Sequence, residues 1–144
     1  MILPDVSVLV YAFREGEEKS AKYHDWLIDL ISGSDEIALL DSVLAEFVRV
    51  VTSPKIADPP ASTALALSFV EDLRTAPKAR WCNPGTTVWE TFSSLASQDR
   101  SVSGSLVPDA FIAANAIVHG AAVATADRGF ARFRGLRWFD PADA

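Results

Sequence analysis

The chain has 144 residues, 49% of them apolar, and a formal net charge of −6 from 13 Lys and Arg against 19 Asp and Glu. That length fits one domain with a substantial core, and the apolar fraction argues against a disordered chain. No apolar run approaches the roughly 20 residues of a membrane span, Asp5 interrupts the one stretch that resembles a leader, and the acidic balance opposes non-specific binding to nucleic acid. The expectation is a soluble, cytoplasmic protein. Attraction to RNA or DNA would have to come from metal ions or a few local arginines.

Taken in order, Met1–Leu3 reads as a strand ending at Asp5, with Ser7 placed to cap a helix through about Phe13. Ser20 is expected to open a second helix, with Tyr23, Trp26, Leu27, Leu30 and Ile31 at helical spacing and Gly33 as its stop. Ile37–Leu40 reads as a buried strand, and Asp41 or Ser42 as the cap of a helix to about Thr52 with Val43, Phe47, Val50 and Val51 on one face. Pro59–Pro60 opens a helix carrying Leu65, Phe69, Val70 and Leu73 that ends near Pro77.

Arg80–Cys82 is a short strand. Cys82, the one cysteine, has no partner for a disulfide or a zinc site and reads as a small core residue. A helix from Thr86 or Thr87 presents Val88, Trp89, Phe92 and Leu95, and Ser101–Ser105 is loop-like. Pro108 lies in the first turn of an Ala-rich helix that runs to His119–Gly120. Ala122–Thr125 is a strand, 127–133 a short helix and Leu136–Phe139 a final strand. Strands alternating with helices predict an α/β fold, a three-layer α/β/α sandwich around a mostly parallel sheet of four or five strands.

Four acids interrupt apolar surroundings: Asp5, Glu46, Asp109 and Asp127. Glu15, Glu17, Glu18, Asp35, Glu36, Glu71, Asp72, Asp140 and Asp143 instead sit in polar clusters or at the chain end, where solvated charge is ordinary. An isolated buried carboxylate must neutralise or meet a cation, so four converging carboxylates would suit a hard divalent metal. Helix capping offers a purely structural account of Asp109 and Asp127. It accounts less well for Asp5, where Ser7 is available as the cap, and poorly for Glu46, which lies among Val43–Ala45 and Phe47–Val48. In a parallel sheet the crevice forms at the carboxyl ends of the strands, and all four acids fall at strand ends or near helix starts.

Four blocks in order, Asp5-Val6-Ser7-Val8-Leu9-Val10-Tyr11, Leu44-Ala45-Glu46-Phe47 with Arg49 and Thr52-Ser53-Pro54, Pro108–Ala114, and Thr125–Phe130, resemble the PIN-domain ribonucleases, above all the VapC-type toxins of bacterial toxin-antitoxin pairs. The resemblance spans essentially the whole chain, 1–144, as a single PIN domain. It implies a metal-dependent endoribonuclease with Asp5, Glu46, Asp109 and Asp127 as the catalytic acids. Asp5 and Asp109 would be the direct ligands of Mg²⁺ (or Mn²⁺), with Ser7 and Thr125 behind them. It also implies a cognate antitoxin that wraps the surface and places an arginine among the carboxylates, and a homodimer. The helices carrying Trp26, Phe47 and Phe69 are the candidates for apolar grooves. One departure is Gly129, where many relatives have an acid.

Other residues carry smaller readings. His119 fits a helix C-terminus better than a general base, and Trp26, Trp89 and Trp138 fit core or interface better than base stacking. Arg128 and Arg132 beside Asp127 are open between RNA phosphates and local acids. Two other function classes compete: a phosphotransfer or aspartyl-phosphatase α/β domain and a non-catalytic PIN-fold binding module. The first is disfavoured because Ser7 stands where the phosphatase needs a second acid and no lysine follows Lys78. The second is disfavoured because all four acids are present.

Overall fold

The computed structural model describes residues 1–143. Five three- or two-residue strands, β1 (Ile2–Pro4), β2 (Ile37–Leu39), β3 (Ala79–Trp81), β4 (Ala122–Ala124) and β5 (Trp138–Phe139), form one sheet in the order β3-β2-β1-β4-β5. Every pairing is parallel, with Leu3 opposite Val123 and Leu39 opposite Trp81. Central strands of such a sheet are covered on both faces and therefore read as unbroken apolar runs. Leu3, Ile37 and Val123 accordingly have no exposed surface.

Six helices cover the sheet: α1 (Val6–Phe13), α2 (Glu18–Ser32), α3 (Asp41–Thr52), α4 (Thr63–Arg74), α5 (Thr86–Gln98) and α6 (Leu106–His119). α1 packs on α2 and α3, and α3 on α4, whereas α5 pairs with α6. From β1 the chain steps one way to β2 and β3, then crosses back through α5 and α6 to β4 on the other side of β1. Right-handed crossovers in opposite directions place these two helix groups on opposite faces. The result is the three-layer sandwich. Its direction reverses between β1 and β4, and in sheets of this kind the carboxyl ends of the strands at such a switch point are where ligands bind.

Several local expectations are revised. α2 begins at Glu18, and Ser20 lies within it, buried. α3 starts on Asp41 with Leu40 at its cap position and no side-chain cap bond, so neither Asp41 nor Ser42 caps it. α6 begins at Leu106, after Ser105, and ends on Gly120 in the left-handed conformation at φ 70°, as expected of a C-terminal glycine. Phe47 is fully buried between Phe13 and Phe69, so its helix α3 reaches a surface groove through Val51 instead. Trp89, expected on an apolar face, is 60% exposed. Cys82 is buried as read, its N–H bonded to the Leu39 carbonyl.

A candidate carboxylate site at the switch point

Asp5 follows β1 directly and occupies the cap position of α1 in extended conformation, yet its side chain makes no capping bond. It turns toward β4 instead. The Thr125 hydroxyl donates to Asp5 Oδ2 at 2.8 Å and the Ser7 hydroxyl donates to the same oxygen at 3.1 Å. Both hydroxyls are themselves acceptors: the backbone N–H of Asp127 donates to Thr125 Oγ1 at 3.0 Å, and that of Ala126 to Ser7 Oγ at 3.1 Å. Two peptide N–H groups beyond β4 are thus relayed through two hydroxyls onto one carboxylate oxygen. Ser7 is therefore not the helix cap that its position suggests, because its oxygen is spent bridging α1 to the segment after β4.

Asp5 is 5% exposed and Thr125 fully buried. Burial is the largest influence on Asp5 and raises its pKa, opposed by the hydrogen bonds from Thr125, Val6 and Ser7 and reinforced by the charge of Asp127. Asp109, half-buried in the first turn of α6, is pushed up to about 6, first by burial and then by the charges of Asp5 and Asp127, with Arg132 pulling the other way. Three of the four acids therefore share one electrostatic neighbourhood. Among the described residues, no lysine, arginine or histidine forms an ion pair with any of them.

Asp127 is exposed and caps the short 3-10 helix Arg128–Arg132, its Oδ1 accepting from the Gly129 N–H at 2.8 Å. The capping account of Asp127 is thus locally correct, and its charge still reaches both Asp5 and Asp109. A Cβ on Gly129 would stand 2.9 Å from that Oδ1, so an acid at this position would displace Asp127. Glu46 is held differently. On the surface of α3 it receives two bonds from Arg49, at 2.9 Å and 2.5 Å, and that hydrogen-bonded pairing lowers its pKa. It is absent from the charges acting on Asp5 and Asp109.

Among the described residues no three His, Cys, Asp or Glu side chains form a ready cage for a metal ion. Magnesium does not need one, since it is bound through one or two carboxylates and keeps several waters for exchange with phosphate oxygens. Two carboxylates with raised pKa values and no basic partner are a donor set of that kind. His119 ends α6, as expected of a dipole-favoured residue, with Nε2 buried and unpartnered. Sequence left Arg128 and Arg132 equivalent, but Arg128 pairs with Asp143 at 2.8 Å and Arg132 pairs with nothing among the described residues.

A PIN domain family model matches residues 2–136. The VapC ribonuclease Mb2897 of Mycobacterium bovis and the ribonuclease VapC43 of Mycobacterium tuberculosis are each 43% identical over 143 residues, 99% of this chain and 97% of theirs. Among solved structures, VapBC2 from Rickettsia felis bound to a promoter DNA fragment superposes with a TM-score of 0.70 at 20% identity, over 97% of this chain and 98% of that one. The sarcin-ricin loop cleaving toxin VapC20 of Mycobacterium tuberculosis reaches 0.67 at 16% identity over 95% and 99%. These two likenesses concern the fold. The full-length sequence matches carry more, and with them the chain belongs to the PIN domain family and, within it, to the VapC ribonucleases.

Proposed function

We propose that this protein is a Mg²⁺-dependent endoribonuclease, the toxin of a toxin-antitoxin pair, acting in the cytoplasm and held in check by its cognate antitoxin. The observation that carries the metal centre is Asp5, a carboxylate 5% exposed, braced by two hydroxyls and adjoined by two further acids, with no cation to meet it. Asp5 and Asp109 are the proposed ligands. When bound, the ion supplies a water of lowered pKa and neutralises charge developing on the scissile phosphate. Thr125 and Ser7 hold Asp5 Oδ2 in one orientation and keep it an acceptor, because each hydroxyl has its single proton committed to it. Asp127, fixed by the Gly129 N–H, adds negative potential that makes the centre repel RNA until a cation is present.

Glu46 is proposed as the fourth acid, set back from the other three, and Arg49 must release it before it takes part. That the sequence relatives are VapC ribonucleases supports the ribonuclease assignment, and that structural neighbours include VapBC and FitAB assemblies supports an antitoxin. A groove of about 1040 Å³ between α1, α2, α4 and the 54–61 loop suits it, lined by apolar Phe13, Ile56, Leu65 and Phe69 and by acidic Glu17, Asp58 and Asp72. That composition fits an amphipathic segment bearing basic residues. Among the described residues, no helix is long and apolar enough to cross a membrane. The homodimer remains part of the proposal.

The test maps cleavage sites in total RNA with Mg²⁺, with chelator, and with Asp5→Asn protein. Cleavage confined to wild-type protein with metal supports the reading. Undiminished cleavage in chelator, or by the folded Asp5→Asn variant, sinks it.

A further inference from the structure

The arginines of this chain divide by what they touch. Arg49, Arg74, Arg80 and Arg128 form ion pairs with Glu46, Glu71, Glu36 and Asp143, and Arg137 donates to the Gly120 carbonyl. Among the described residues Arg14, Arg100, Arg132 and Arg134 do none of this, and of these Arg132 is the one carried on the 3-10 helix that Asp127 begins. It is exposed at the end of that helix, and among the described residues it forms no ion pair and no hydrogen bond. Its charge nevertheless reaches two acids on different segments, Asp109 at the start of α6 and Asp99 just after α5. Its charge is thus felt by both acids, while it bonds to neither.

Its root is firmly fixed. Phe130 and Phe133 are buried on either side of Arg132 and pack edge to face, their ring centroids 5.8 Å apart. The other end of the helix is tied by the Asp127 to Gly129 bond. A rigid backbone carrying a free guanidinium beside a carboxylate centre is an anion-binding arrangement in search of its anion, and a planar fork of donors matches a phosphodiester. In a chain of net charge −6, such a cation offsets much of the local repulsion of RNA.

We propose that Arg132 binds an RNA backbone phosphate at the rim of the carboxylate centre, positioning the strand for cleavage, whereas Arg128 is committed to tying the C-terminal segment down. This rests on the ribonuclease reading and adds to it a substrate-binding residue. The deciding experiment measures steady-state cleavage of a fluorophore- and quencher-labelled single-stranded RNA containing a mapped site, in Mg²⁺, over a series of salt concentrations. The proteins are wild type, Arg132→Gln, Arg132→Lys and Arg128→Gln, each checked by thermal melting.

Arg132→Gln is expected to raise KM by about tenfold, the loss of one charge-assisted contact, with kcat within about threefold and the salt slope of log kcat/KM shallower by about 0.7. Arg132→Lys keeps the slope and recovers part of the affinity, and Arg128→Gln keeps both. A folded Arg132→Gln protein with wild-type KM and slope, from an enzyme that does cleave, overturns the proposal alone; in that case the guanidinium serves something other than RNA. Wild-type protein that cleaves nothing overturns the ribonuclease reading, and this proposal with it.

Discussion

Two carboxylates in this molecule answer the same problem in opposite ways. Glu46, on the surface of α3, is neutralised on the spot by Arg49, one helical turn away, and water screens what is left. Asp5, buried between β1 and β4, receives hydroxyl protons and dipoles but no positive charge. A hydroxyl relay costs the fold more than a salt bridge at the surface would, because it leaves a buried charge uncompensated. A protein selected only for stability would place an alanine or asparagine there. The proposed metal centre rests on that difference, since an uncompensated carboxylate is one that an arriving cation can use.

The largest effect should come from removing that charge. Asp5→Asn is expected to lower Mg²⁺-supported cleavage by more than the ~10–100-fold typical of losing a residue that supports a metal ligand, while the metal-free protein melts at the same temperature or higher. The sign follows from proton linkage. Asp5 and Asp109 both have folded-state pKa values above the ordinary 3.8, Asp109 at about 6, so between about pH 4 and 6 the folded state binds more protons than the unfolded one. Their contribution makes metal-free protein less stable as pH rises through that window. Melting curves in chelator should show this fall for wild type and a smaller one for Asp5→Asn, and Mg²⁺ should reverse it. A variant that is markedly less stable than wild type at pH 7 without metal would show that Asp5 is structural.

Next in size is Thr125→Val. Thr125 is fully buried and its hydroxyl both receives the Asp127 N–H and donates to Asp5. Valine keeps the shape and strands the N–H, at a cost of about 1–3 kcal/mol, and activity should fall ~10–100-fold through a misoriented Asp5. Titrating Mg²⁺ against activity, alongside urea melts, separates the two losses; unchanged metal dependence would mean that the relay does not position Asp5. Gly129→Ala should act more weakly, by several-fold at most, by pressing its Cβ on Asp127 Oδ1. Gly129→Asp should do no better than Gly129→Ala, since the added acid is gained only by moving the existing one.

What could be read beforehand followed from local signals. Asp5, Asp109 and Asp127 stood out because each interrupts an apolar run, and the strands and helices followed from hydrophobic period and glycine or proline stops. Strand order did not, because periodicity identifies an element without naming its neighbours, and the reversal between β1 and β4 is what makes Asp5 and Thr125 adjacent across 120 positions. The cap reading of Ser7 failed for the same reason: capping is the best local use of a serine two residues after a strand, but its hydroxyl donates to Asp5 and accepts from the N–H of Ala126, 119 residues away. Trp89 shows the limit of an amphipathic pattern, which marks one face of α5 as apolar without saying how far the fold covers it.

The smallest effect, and the one that tests the comparison most directly, is Glu46→Gln. It removes an exposed ion pair, so melting should barely move. Cleavage should decline less than in Asp5→Asn, because Glu46 is not among the charges that raise the pKa of Asp5 or Asp109 and must first be released by Arg49. Arg49→Ala supplies the counterpart: with Glu46 freed, cleavage should hold or rise at limiting Mg²⁺. If Glu46→Gln is instead as damaging as Asp5→Asn with melting unchanged, Glu46 belongs to the metal centre itself. Its pairing with Arg49 would then be a resting state that gives way when metal and RNA bind. Measuring both variants across a Mg²⁺ titration distinguishes the two cases, since only an acid of the metal centre shifts the metal midpoint when neutralised.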